Sequence, residues 1–113
     1  MPIIKPIPLH LLIHQVEYEE YLGEDDWEGG SQYEAPINLK NVRLEYSSEL
    51  NRNNNSEQIT YQARLFFDAH HSRPQDVNFV EKSKVTFNGD EMFVKEVHPI
   101  YDVRLHHYEV VLI

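Results

Sequence analysis

Ile59-Thr60-Tyr61-Gln62-Ala63-Arg64-Leu65-Phe66-Phe67 sets an apolar residue at every second position, with only Phe66 off the pattern. Such alternation marks a strand with one buried face, because successive side chains leave a pleated backbone on opposite sides. The neighbouring stretches read the same way. Val42, Leu44 and Tyr46 alternate while Ile37 and Leu39 stand on the other parity, so one long strand with a bulge near Lys40-Asn41 is expected to re-aim its face there. An earlier strand covers about 13–22, with Val16 and Tyr18 inward and Glu17 and Glu19 outward. A later one runs over 107–113, where Tyr108, Val110 and Leu112 share a face.

Asn88-Gly89 separates Val85-Thr86-Phe87 from Met92-Phe93-Val94 and signals a hairpin, since both residues tolerate positive φ. A two-residue loop would set Phe87 opposite Asp90, whereas a four-residue connection over 88–91 pairs Phe87 with Met92 and Val85 with Val94. The longer connection is therefore expected. The stretches 23–33, 47–57, 68–78 and 98–106 read as connections, and at most a short helical turn is expected within 74–83. Five or six antiparallel strands in one domain over 1–113 point to an all-β fold, a small antiparallel β-barrel or sandwich with long polar loops. Residues 1–12 are expected as an extended N-terminal arm and 47–57 as a mobile loop, because 51–56 holds asparagine, arginine and serine only.

The chain has 113 residues, 41 % of them hydrophobic and 12 % aromatic, which suffices for one core. Cysteine is absent, so disulfides, thiolate metal sites and a cysteine nucleophile are excluded together. No apolar run approaches the roughly 18 residues of a membrane helix, and no membrane partner is expected. Charge is uneven. No lysine or arginine lies between Lys5 and Lys40, while eight of the 19 acids fall in 17–34; the other 11 nearly balance the 10 bases. Acid at this density repels phosphate, so specific nucleic-acid binding is not expected. Glu24, Asp25, Asp26, Trp27 and Glu28 form a candidate acidic partner surface, in which Trp27 is either folded back on the barrel or exposed as an anchor.

Seven histidines raise the question of a metal. Adjacent strand residues face opposite ways, so neither His70-His71 nor His106-His107 is expected to turn both rings toward one ion. The paired carboxylates lie in a solvated run, no phosphate-cradling glycine loop or nucleophile elbow occurs, and the serines have no evident base. Neither an enzyme nor a cofactor is expected.

The order of short pieces is itself informative. Leu11-Leu12-Ile13-His14 leads into an acidic hairpin with Glu19-Glu20-Tyr21-Leu22-Gly23; Asn41-Val42-Arg43-Leu44, a polar loop and the strand 59–67 follow. Then come Lys84-Val85-Thr86-Phe87-Asn88-Gly89, Phe93-Val94-Lys95-Glu96-Val97 and His106-His107-Tyr108-Glu109-Val110. From about Leu11 onward this resembles the small minor capsid proteins of the head-tail region of tailed phages and prophages of Gram-positive bacteria. These are similar in size and strand order to stopper-type head-completion proteins. The resemblance implies a non-enzymatic virion protein that forms a ring with its own copies below the portal and adaptor, contacts tail-completion proteins, and passes through the host cytoplasm during assembly. By position between strands, it makes 47–57, with Glu49, Asn51, Arg52, Asn53, Asn54 and Asn55, the candidate loop that closes the DNA channel. A monomeric barrel that binds a peptide or other ligand is the alternative from the residues alone.

Overall fold

The structure, a computed structural model, describes residues 5–25, 29–47 and 61–113. The described residues form eight strands: β1 (His14–Glu19), β2 (Tyr21–Asp25), β3 (Gly30–Tyr33), β4 (Ile37–Tyr46), β5 (Ala63–Asp68), β6 (Lys84–Phe87), β7 (Asp90–Tyr101) and β8 (Leu105–Leu112). Six of them close a barrel in the order β1-β4-β5-β8-β7-β6, and β2 with β3 makes a separate two-stranded ribbon. The all-β expectation holds, as a barrel and not a sandwich. Among the described residues the one helical element is a 3-10 turn at Leu9–Leu11.

Alternation fills the barrel. Val16 and Tyr18 of β1, Leu39, Val42 and Leu44 of β4, and Ala63, Leu65 and Phe67 of β5 are buried, as are Val85, Met92, Val94, Val110 and Leu112 from the other three strands. The change of parity in β4 falls where the sequence placed it: His14 pairs with Val42 but Val16 with Leu39, and Asn41 takes φ 57°. Asparagine tolerates that left-handed backbone better than most residues, and the bulge lets β4 face the core on both sides of it.

The chain departs from expectation in four places. The 85–94 hairpin pairs Val85 with Met92 and Phe87 with Asp90, so the loop is Asn88-Gly89 alone, at φ 50° and 85°. A two-residue turn with positive φ at both positions matches strand twist, and Asp90 sits at the rim, where its carboxylate accepts from the Tyr46 hydroxyl at 3.0 Å. The early strand breaks at Glu20, and part of the 23–33 connection becomes the β2–β3 ribbon, with the Tyr21 and Tyr33 rings stacked across it edge to face at 5.8 Å. The 98–106 connection is mostly strand, because Pro99 lies where β7 pairs only with β8 among the described residues and needs no N–H on its other side. The alternating stretch at 59–67 is strand only from Ala63; Tyr61 is half-buried and outside it, and Ile59 lies outside the described residues. Within 74–83, where at most a short helical turn is expected, none is formed.

Residues 69–83 join β5 to β6, which stand on opposite sides of the barrel, so this segment must cross its mouth. Phe79 plugs that mouth, with its ring 5.2 Å from Tyr18, 5.3 Å from Phe67 and 5.2 Å from Tyr108. Tyr18 closes the crossing with polar bonds: its hydroxyl donates to Asn78 O at 2.7 Å and accepts from Val80 N–H at 3.0 Å. Burial raises the pKa of that phenol, offset in part by its hydrogen bonds with the Ser83 hydroxyl at 3.1 Å and the Val80 N–H.

Leu65 is fully buried between β4 and β8, whereas Arg64 is exposed with Glu109 at 3.8 Å. Leu65→Ala should therefore cost about 2–5 kcal/mol in denaturant unfolding, and Arg64→Ala about 0.5 kcal/mol. Equal losses would contradict the inward face assigned to β5.

Candidate functional site

Barrel topology sorts the chain's functional candidates to its two ends. At one end β4 finishes and β5 starts, so the 47–57 loop leaves there, beside the Asn88-Gly89 turn and the last residues of β8. At the other end β1 runs into the β2–β3 ribbon, 69–83 crosses the mouth, and the β7–β8 hairpin projects.

Of the loop candidates, Glu49, Asn51, Arg52, Asn53, Asn54 and Asn55 lie outside the described residues. Their frame is described. Ser47 N–H donates to Gln62 O at 2.8 Å, and Gln62 N–H donates to Leu112 O at 2.7 Å, which ties the loop's base to β8. His14 supports this end from β1, where its Nδ1 accepts the Leu44 N–H at 3.0 Å and its ring meets Phe87 edge to face. Desolvation first, and the nearby Arg43 cation second, lower the pKa of His14.

Of the acidic candidates, Asp26, Trp27 and Glu28 lie outside the described residues, while Asp25 ends β2. The Glu24 carboxylate accepts from the Tyr21 hydroxyl at 2.8 Å and from Ser31 Oγ at 3.2 Å. The hydrogen bond to Glu24 is the main cause of the raised pKa of Tyr21. Lys82 and Lys84 lie over the Tyr21 and Tyr33 rings at 5.6 and 5.1 Å, so cation–π contacts brace the ribbon against the barrel.

Two arrangements were missed by the sequence reading. The first is a polar knot around Asp68, fully buried at the end of β5. Its Oδ1 accepts the Ile7 N–H at 2.9 Å, and its Oδ2 accepts those of His70 and His71 at 2.9 and 2.8 Å. Ser72 accepts the Asp68 N–H at 2.8 Å and donates to Asn41 O, while Asn41 Nδ2 donates to His71 O at 3.2 Å. One carboxylate thus fastens the N-terminal arm to the turn 69–72, and Ser72 and Asn41 tie that turn to the β4 bulge. An aspartate followed by a four-residue polar turn is a recognisable signal for a side chain capping its own turn.

The second is the histidine pair at the start of β8. Contrary to the expectation of opposite faces, the rings of His106 and His107 meet, Nδ1 to Nδ1 at 2.8 Å, where the β7–β8 register shifts between Ile100 and Tyr101. His106 Nε2 donates to Lys5 O at 2.6 Å, and His107 Nε2 lies 3.1 Å from Glu109 Oε2. Beside this pair, Lys5, Pro6, Ala69, His70, Asp102, Arg104, Leu105 and His106 line a cavity of about 530 Å³. Among the described residues, no three His, Asp or Glu side chains are arranged to hold a metal ion.

A family model described as minor capsid protein matches residues 8–112. No curated protein and no solved structure matches.

Asp68→Ala should lower stability by about 3 kcal/mol and speed chymotryptic cleavage after Leu9 and Leu11, with Asp68→Asn intermediate, because one or both anchoring oxygens are lost. His14 predicts an acid limb. Its folded pKa lies below the ordinary value, so its contribution is full above about pH 6.5 and is lost as the pH falls through the lowered value. His14→Gln should flatten the fall in Tm between about pH 7 and 5 relative to the parent.

Proposed function

We propose that this chain, which belongs to the minor capsid protein family and so has a structural role in a virion, is a non-enzymatic head-tail connector subunit of a tailed phage or prophage. In this reading copies form a ring below the portal, and the 47–57 loop closes or extends the DNA channel.

The observation that carries the reading is the length of that loop. Tyr46 and Ala63 are paired neighbours on adjacent antiparallel strands, a junction that about two to five residues bridge in ordinary hairpins. The chain instead spends residues 47–62 there. Excess chain at a junction that folding closes cheaply is retained for what it contacts. Its polar, asparagine-rich composition suits a segment ordered by neighbouring copies, and the net charge of −9 suits a conduit that must not hold DNA.

Replacing 47–57 with a short Gly-Ser link should leave the Tm within a few degrees, since closure entropy changes only slightly with loop length. The variant should still assemble on the portal, but the particles should leak packaged DNA or fail to complete. Particles that keep their DNA and infect normally would remove the channel-closing role and favour an adaptor or purely structural ring.

A further inference from the structure

Two chemically opposite surfaces occupy the same end of the barrel, on opposite flanks. The ribbon hangs from the β1/β4 junction and the projecting hairpin from the β8/β7 junction, and in the order β1-β4-β5-β8-β7-β6 these junctions are half a turn apart. The ribbon flank carries Glu20, Glu24 and Glu34 with exposed Leu22 and Ile37. The hairpin flank carries Lys5, His70 and Arg104 around the cavity, Asp102 being its one acid, with Tyr101 and Val103 at 67 % and 73 % exposure at the tip. Each flank thus holds apolar residues beside charge, and the charges are of opposite sign. Lys82 and Lys84 offset part of the acid, but both face the ribbon tyrosines.

From this placement we infer that the acidic ribbon of one copy docks against the cavity and hairpin tip of the next copy, joining like-oriented barrels side by side. The occupant is a second copy because this chain itself presents the complement. Different patches on opposite flanks make a head-to-tail contact, which closes a ring where the rotation between successive copies closes and runs on as an open filament where it does not; with both patches at one end, neighbouring barrels stay level. Exposed valine and tyrosine at the tip supply apolar anchors, and the surrounding charges fix orientation. This contact rests on the ring reading above and specifies which surfaces form it.

The chain has no cysteine, so an introduced pair reports one contact without background. In virions assembled with full-length chain carrying Glu24→Cys and Arg104→Cys together, mild oxidation should give a ladder of covalent multimers ending at one ring size; either substitution alone should stop at monomer. As a second measurement, Glu24→Arg or Arg104→Glu alone should cut incorporation into particles about tenfold, and the two combined should restore it. Particles that contain the paired-cysteine chain but give no ladder, with both single reversals incorporated normally, would overturn this contact and leave the structural virion role intact. Particles that lack the chain altogether, the unsubstituted chain included, would overturn the connector reading and this contact with it.

Discussion

Barrel closure rests on a short seam. β1 and β6 meet through three residue pairs, Glu17 with Thr86, Tyr18 with Val85 and Glu19 with Lys84. Without that seam the same six strands would be an open sheet with two bare edges, and exposed edges invite pairing with other chains. So few ladder bonds cannot hold the seam unaided. Tyr18 reinforces it, because it sits in the seam, fills the barrel mouth and ties its hydroxyl to Asn78, Val80 and Ser83 of the crossing segment. Ser83 in turn accepts the Tyr21 N–H at 2.9 Å, so the start of the ribbon is anchored to the same point. Removing that hydroxyl would loosen the seam, the plug and the ribbon together.

The opposite side of the barrel is held differently. β4 must bend to follow the closed sheet, and it does so at Asn41, whose carbonyl and amide are both bonded to the turn after β5. A buried carboxylate is costly unless its oxygens are hydrogen-bonded, and Asp68 meets this condition with three backbone N–H groups, one of them from the arm. Curvature, turn and arm are therefore coupled, and every buried polar side-chain atom among the described residues has a partner. Polar bonds do the positioning here, while the inward apolar stripe supplies the burial.

How much of this was legible in the sequence follows from where each signal is stored. Faces were legible: Val16, Tyr18, Leu65, Phe67, Met92 and Val110 are buried as alternation requires, because period two is written in local order. The bulge was legible because a change of parity leaves two incompatible faces in one run. Register was less so. Pairing Phe87 with Met92 or with Asp90 keeps the same residues inward, and the choice fell to the turn's positive φ and to Tyr46, a residue more than forty positions away. The stretch 98–106 was read as a connection, yet most of it is strand; the missing N–H of Pro99 matters only if the strand is paired on that side, which the sequence does not state. The turn capped by Asp68 is local, but its bond to Ile7 and the meeting of His106 with Lys5 join positions far apart in the chain, so no window along the sequence contains those two links. Of the candidate site residues, Glu24 could be placed with its side-chain partners and Asp25 on the ribbon's backbone; Asp26, Trp27, Glu28 and the 49–55 set lie outside the described residues.

Charge and fold are separable in this molecule, and that separation has a consequence for assembly. The strands that fill the core carry a nearly balanced surface, whereas the excess acid is concentrated in and around a ribbon that adds no strand to the barrel. Each subunit is therefore electrically lopsided along its axis. Side-by-side subunits in one orientation would bring their acidic ends to the same level, and like charges separated by less than the roughly 8 Å screening length at physiological salt repel. A ring of such subunits needs local compensation at every junction, and the basic residues around the hairpin cavity are at the right end to supply it. Compensation at the junctions would leave uncancelled acid facing away from them, including toward any central passage. The same ribbon could then both join neighbours and keep a DNA conduit from binding its cargo.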